Sequence, residues 1–165
     1  MNKGIILLAL IMLGIFTFTS QASDVISHRD IGMDLARDLA NEAVVACRKD
    51  GYHVSVVVVD RFGNLRAALR DDIASRFTLQ IAEEKANAVI LAGIPSGQFR
   101  DNRGDIRPEL NHINGIIMMQ GGLPINAGGS RIGAIGVSGA PGGEKDELCA
   151  AKALEAVFER LEFAE

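Results

Sequence analysis

The chain has 165 residues, of which 48% are hydrophobic and 23% are charged, and its formal net charge at pH 7 is −4. This acidic balance argues against a nucleic-acid partner, because nucleic-acid-binding domains usually carry a basic patch. It also gives no reason to expect attraction to an anionic membrane surface.

The first 22 residues have the pattern of a secretory signal peptide. Lys3 precedes an apolar run from Ile5 to Phe16, and Ser20-Gln21-Ala22 is a small-x-small site of the kind that signal peptidase accepts. The run is shorter than the about 20 residues of a membrane-spanning helix, which disfavours a retained N-terminal anchor. We therefore predict a periplasmic or secreted protein in which residues 23–165 form one domain, with no membrane attachment after cleavage.

A helix is predicted next. Apolar residues recur at helical spacing from Ile31 to Ala46, Ser27 or Asp30 would cap the N-terminus, and Gly51 would stop the helix after about Lys49. Because only one side of this helix is apolar, it needs a sheet to pack on.

A β-hairpin follows this helix. Residues 54–59 are a β-branched run, residues 61–64 have turn composition, and apolar residues alternate over 65–69. The first strand is predicted to be buried on both faces and the second on one.

A second helix is predicted from about Ala74 to Ala92, where Gly93 and Pro95 end it. Ser96 to Gly115 is the least regular part of the sequence and is rich in arginine and aspartate. Long irregular segments in compact domains are often functional, so we expect this one to contribute to a binding site.

The C-terminal third predicts strands and a last helix. Residues 116–119 are a short apolar strand, residues 121–125 are a turn leading to an edge segment, and residues 132–137 are a buried strand. Gly133 and Gly136 lie inside that strand, which indicates that a packed helix or a ligand closely approaches the backbone. Acidic residues then occupy the first turn of the final helix, where the helix dipole favours them.

These elements predict an α/β fold of the α+β type. Five strands and three helices alternate irregularly, and short turns join most of the strands, which favours a mainly antiparallel sheet of about five strands with packed helices.

The two cysteines, Cys47 and Cys149, lie late in the first helix and early in the last. Export would take them to a compartment where disulfides persist, and antiparallel helices would bring them together. Two buried thiols packed as small hydrophobic side chains are an equally consistent alternative.

Several motifs together resemble one known family. They are VVVVDRFGNLRAALR, then IAEEKA and GIPS on the second helix and after it, then GGLPI, and finally IGAIGVSGAPGGEKDELCAAKALEA. The sequence resembles the haem-binding family that includes the secreted sensor component HbpS, the GlcG proteins and the C-terminal domain of the PduO corrinoid adenosyltransferases. The resemblance implies a profilin-like layout, a homo-oligomer and a tetrapyrrole ligand, most often haem, with a corrinoid as the alternative.

Candidate haem-binding residues lie in and around the irregular segment. His112 is the best axial donor to haem iron, because imidazole is a common haem ligand and this one precedes an apolar run. Met118 and Met119 are the next donors. Each has a simpler interpretation, since a lone histidine beside a turn is often a surface residue and paired methionines often fill a core.

Cations and hydroxyls would complete such a site. Arg107, with Arg100 and Arg103, is predicted to meet the haem propionates through charge-assisted hydrogen bonds. The resemblance also points to the hydroxyl after the proline that ends the second helix, a position that is usually threonine in the family and is Ser96 here.

Three functions compete. The sequence favours a binding protein that stores, carries or senses haem, because it shows few catalytic candidates. A haem-degrading or other small-molecule enzyme that uses the same cleft is the second, and a protein-interaction domain without ligand is the third.

Overall fold

An antiparallel sheet forms the centre of the fold. This computed structural model describes residues 24–163, and the predicted signal peptide, residues 1–22, lies outside them. Among the described residues the sheet has four strands, which are β1 (Ser55–Asp60), β2 (Leu65–Arg70), β3 (Gly122–Ala127) and β4 (Ser130–Ser138). They pair in the order β2-β1-β4-β3, and every neighbouring pair is antiparallel.

Helices cover both faces of this sheet. The helices in the described residues are α1 (Met33–Lys49), α2 (Phe77–Ala92), α3 (Ser96–Asn102), α4 (Arg107–Leu110), α5 (Gly143–Ala156) and α6 (Phe158–Glu162). Helices α1 and α5 pack with Val56 and Val58 of β1 in the larger core, whereas α2 packs on Val57 and Val59 from the other side. Because alternate side chains of β1 enter cores on opposite faces of the sheet, β1 is buried along its whole length. The antiparallel sheet with packed helices confirms the predicted α+β class.

The first helix begins later than predicted. Its first residue is Met33, and Gly32 precedes it in an extended conformation. Upstream, the Ile31 amide donates to the Ile132 carbonyl (3.1 Å), so the chain there lies extended beside β4. The Asp30 carboxylate accepts the Ile31 amide (2.9 Å) and therefore does not cap the helix.

The predicted strand at residues 116–119 is wrong. These residues are irregular, because their amides bond outside any strand ladder: the Met118 amide donates to Asn111 Oδ1 (3.1 Å) and the Met119 amide to the Ile117 carbonyl (2.9 Å). The apolar run packs against α2 and α3 instead of entering the sheet. The preceding segment is more regular than predicted, since it contains α3 and α4.

A disulfide joins α1 to α5. Cys47 and Cys149 are bonded, with their Cα atoms 5.4 Å apart. Of the two alternatives that the sequence leaves open, the structure therefore has the bridge, because these helices lie side by side on one face of the sheet.

Gly136 sets how closely α2 approaches the sheet. A Cβ atom at this position would overlap the Ala82 carbonyl oxygen and lie 2.9 Å from the Ala86 amide nitrogen. Both atoms belong to the α2 backbone, which cannot move aside as a flexible side chain can. Of the two explanations for a glycine in this strand, a packed helix is the one observed.

We expect Gly136→Ala to destabilise the fold by about 3 kcal/mol, the upper end of what overpacked cores usually lose. Chemical denaturation measures this loss. Gly32→Ala is the matched control, because a Cβ there meets nothing within 4 Å and the backbone φ is an ordinary −73°. Equal unfolding midpoints for the two variants would contradict the steric explanation.

Candidate functional site

Two adjacent clefts with mixed apolar and polar linings lie beside the loop that follows α4. Their volumes are about 270 Å³ and about 320 Å³, at the lower limit of the about 300–1,000 Å³ usual for small-molecule sites. Both are lined by Asn114, Gly115 and Ile116, so they are two parts of one surface. We call its apolar residues the loop face; they are Phe62, Ile90, Leu91, Ile113, Ile116 and Ile117.

Side-chain amides hold the loop in place. Asn87 of α2 donates through Nδ2 to the Gly115 carbonyl (3.0 Å), and Asn111 Oδ1 accepts the Met118 amide across the base of the loop (3.1 Å). Asn87 Oδ1 is buried and has no hydrogen-bond partner among the described residues. The loop face is therefore supported by rigid helix α2 although it belongs largely to irregular chain.

Large apolar side chains of the loop face are open to solvent. Phe62 is 63% exposed, Leu91 52% and Ile113 45%. Contiguous exposed apolar surface on a small protein commonly marks a ligand-binding or interaction site. This surface is therefore the candidate functional site.

His112 is next to this site in the chain but lines neither cleft. It is exposed and stands in the chain between Asn111 and Ile113, which both line the smaller cleft. Met119 is 39% exposed, whereas Met118 is 1% exposed and packs with Phe99 and Ala88 in a small core of its own.

The other sequence-predicted residues lie apart from the two clefts. Ser96 is fully buried at the start of α3, and its Oγ accepts the Gly122 amide (2.8 Å), which fixes α3 to the first residue of β3. Arg107 is exposed at the start of α4. Neither residue lines the clefts of the loop face.

Two of the predicted propionate partners already have carboxylate partners. Arg100 Nε lies 2.8 Å from Asp101 Oδ1, and Arg103 Nε lies 3.1 Å from Asp105 Oδ1. These are exposed pairs of near neighbours in the sequence, and such pairs hold little energy. They do, however, reduce the positive charge that the segment offers to an anionic ligand.

A buried ion pair that sequence analysis missed joins α2 to α5. Lys85 Nζ donates to Asp146 Oδ2 (2.7 Å) and to the Val137 carbonyl (2.9 Å), and both side chains are almost completely buried. Asp146 Oδ1 accepts the Ala140 amide (2.9 Å). Burial raises the pKa of the Asp146 carboxyl, and the Lys85 ammonium opposes that shift.

A second missed cluster lies at the other end of β1 from Phe62. The buried Asp71 carboxylate accepts hydrogen bonds from Arg48 and from His53 Nδ1 (2.9 Å). An ionised carboxylate only accepts, so His53 carries its proton on Nδ1. The hydrogen bond from Arg48 is the main cause of the strongly lowered pKa of the Asp71 carboxyl.

Comparison with known proteins places this chain in a family. A family model described as "Haem degrading protein HbpS-like" matches residues 31–155, a range that contains the whole sheet and the loop face. The chain belongs to the HbpS-like family. This confirms the family that the sequence motifs indicate.

Individual HbpS-like relatives agree with this assignment. A crystal structure of HbpS is 33% identical to the chain, with a TM-score of 0.77, and the match covers 84% of this chain and 97% of HbpS. GlcG of Escherichia coli strain K12 is 28% identical over 108 residues, which are 63% of this chain and 81% of GlcG. The haem complex of PduOC is 22% identical, with a TM-score of 0.68 and coverage of 77% of this chain and 94% of PduOC, so it shows a shared fold.

The clefts of this HbpS-like chain are lined by apolar side chains, the side-chain amides of Asn87, Asn111 and Asn114, and the Glu84 carboxylate. Within residues 24–163, no three His, Cys, Asp or Glu side chains converge as a metal site. No helix in that range is long and apolar enough to cross a membrane. His112 has ring nitrogens that can donate to a haem iron, and the isoleucines beside it suit an apolar macrocycle.

Proposed function

We propose that this protein is an exported haem-binding protein that holds haem on the loop face, within a homo-oligomer. The observation that carries the proposal is the pair of adjoining clefts with the exposed apolar side chains of the loop face. The exposed His112 stands in the chain between Asn111 and Ile113, which line the smaller cleft. A haem site needs an apolar surface for the macrocycle and a donor for the iron, and both are present here.

The family relationship supports haem as the ligand. The matching family is described by haem degradation, and PduOC, which shares the fold, forms a complex with haem. The loop face adds an argument from this chain itself, because its exposed Phe62, Leu91 and Ile113 offer apolar contact to a flat ligand.

The openness of the site supports a homo-oligomer. Each cleft on one chain is near the lower volume limit for a small-molecule site, so a macrocycle on the loop face would leave one of its sides in water. A second copy placed over the loop face would cover that side and bury the exposed apolar residues.

Haem degradation is the second candidate function, because the family description names it. The two functions are distinguished by incubating the haem complex with ascorbate. A storage, transport or sensing protein would keep its Soret band after reduction, whereas a degrading enzyme would lose the band and release iron.

We expect His112→Ala to change the visible absorption and electron paramagnetic resonance spectra of the haem complex, because the iron loses its imidazole ligand. His53→Gln is the matched control, since His53 lies at the opposite end of β1 from Phe62 and bonds to Asp71. Spectra of His112→Ala identical to those of the wild type would exclude His112 as the ligand and direct the search to Met119.

A further inference from the structure

A basic cleft of about 310 Å³ lies beside the first described residues. It is lined by Ser27, His28, Arg29, Arg61 and Ser130. Two guanidinium groups, an imidazole and two hydroxyls therefore surround one space. Such a set offers charge-assisted and neutral hydrogen bonds to an anion, and carboxylates and phosphates are the groups that arginine recognises best.

The chain around the basic cleft is fixed by specific contacts. Arg61 Nη1 donates to the Arg29 carbonyl (3.3 Å), and the Arg61 amide donates to Asp30 Oδ1 (3.2 Å). The Arg29 guanidinium lies against Gly128 in the turn between β3 and β4, where φ is +53° and a Cβ atom would overlap Arg29 Nη1. Three separate segments of the chain thus meet at this cleft.

The basic cleft adjoins the loop face at Phe62. The His28 ring packs edge-on against the Phe62 ring, with centroids 4.9 Å apart, and the Arg61 guanidinium carbon lies 5.6 Å from the Phe62 ring centroid. Phe62 also lines the larger cleft of the loop face. Phe62 therefore contacts residues of the basic cleft and also belongs to the loop face.

Neighbouring carboxylates are engaged by the backbone. Asp30 Oδ1 accepts the amides of Ile31 and Arg61. Asp60 Oδ1 accepts the amides of Phe62 and Asn64 (both 2.9 Å). In the segment after α2, Arg100 and Arg103 each pair with an aspartate side chain.

We propose that the basic cleft binds the carboxylate groups of a ligand whose apolar body lies on the loop face. The inference rests on the proposed function and deepens it: the propionates of haem would lie at Arg61, Arg29 and His28, not at Arg107 as the sequence suggests. It defines the ligand class as flat, apolar molecules that carry carboxylates at one edge.

Arg61→Gln tests the inference, with Arg37→Gln, an exposed arginine of α1 outside both sites, as the matched control. The probes are haemin and haemin dimethyl ester, in which the propionates are neutral. We expect Arg61→Gln to weaken haemin binding about tenfold, because a charge-assisted contact is lost, and to leave binding of the ester unchanged. Arg37→Gln should bind both probes as the wild type does.

If Arg61→Gln binds haemin as tightly as the wild type does, the inference is wrong, while the proposal that the protein binds haem still holds.

Two fluorescent probes test the basic cleft separately from haem binding. They are anionic 1-anilinonaphthalene-8-sulfonate and neutral N-phenyl-1-naphthylamine. Suppose that haemin does not bind. If Arg61→Gln then binds the anionic probe more weakly than the wild type does, but binds the neutral probe equally well, the basic cleft is still supported as an anion site and only the haem function is rejected. If Arg61→Gln binds both probes equally more weakly, or both as tightly as the wild type does, the proposal that the basic cleft binds anions is wrong.

Discussion

Replacing Lys85 by methionine is expected to lower the free energy of unfolding by about 3–5 kcal/mol, because removal of one partner leaves a buried charge uncompensated. Asp146 is that charge, and it is 3% exposed. The variant also removes a donor from the Val137 carbonyl of β4. Urea or guanidinium denaturation, followed by circular dichroism, measures the loss.

Two further variants isolate the cause. Lys85→Met combined with Asp146→Asn removes both charges and retains an acceptor for the Ala140 amide, so it should lose less stability than Lys85→Met alone. Lys49→Met removes an exposed lysine and should lie within about 0.5 kcal/mol of the wild type. A single Lys85 variant as stable as that control would show that the pair contributes nothing.

Removing the disulfide is expected to cost about 2–5 kcal/mol, the usual range for a native bridge in a small domain. The bridge closes a loop between residues 102 positions apart, and long loops lose the most unfolded-state entropy when they are closed. The double variant Cys47→Ala, Cys149→Ala should therefore unfold at a clearly lower denaturant concentration than the wild type.

Reductant supplies the internal control. Dithiothreitol should lower the stability of the wild type towards that of the double alanine variant and leave the double variant unchanged. A thiol assay on the unreduced, denatured wild type should detect no free thiols. Two free thiols per chain, together with no effect of reductant, would contradict the bridge.

Local patterns in the sequence predicted the elements that depend on local physics. The β-branched run before Phe62 is a strand buried on both faces, and Gly93 ends α2 with φ at +76°. The glycine in β4 at position 136 indicated a close backbone approach, and α2 is the element that makes it.

What the sequence did not reveal depends on distant partners. Lys85 and Asp146 are 61 positions apart. The position of Asp146 in the first turn of α5 has a sufficient local explanation in the helix dipole. The available signal was that Lys85 falls on the apolar stripe that Ala82, Ala86 and Val89 define on α2. A lysine on a core-facing stripe needs a buried acidic partner, but helical spacing does not identify that partner.

The candidate site could be predicted only in part, because its residues also come from distant segments of the chain. The sequence directed attention to the irregular segment, and Asn111, Ile113, Asn114 and Gly115 of that segment line the smaller cleft. His112 as the iron ligand stays a prediction. The sequence did not predict that Phe62 and Leu91, from a hairpin turn and from α2, join that surface. It also missed the basic cleft, because Ser27–Arg29, Arg61 and Ser130 come together only in the folded chain.

The central claim, that the protein binds haem, is tested most directly by titrating haemin into the protein that lacks residues 1–22. Absorption is recorded across the Soret region with and without reductant. We predict a saturable and shifted Soret band that persists after reduction with dithionite. A band that stays identical to that of free haemin at every protein concentration would contradict haem binding and leave a corrinoid, another small molecule or a protein partner as the ligand to seek.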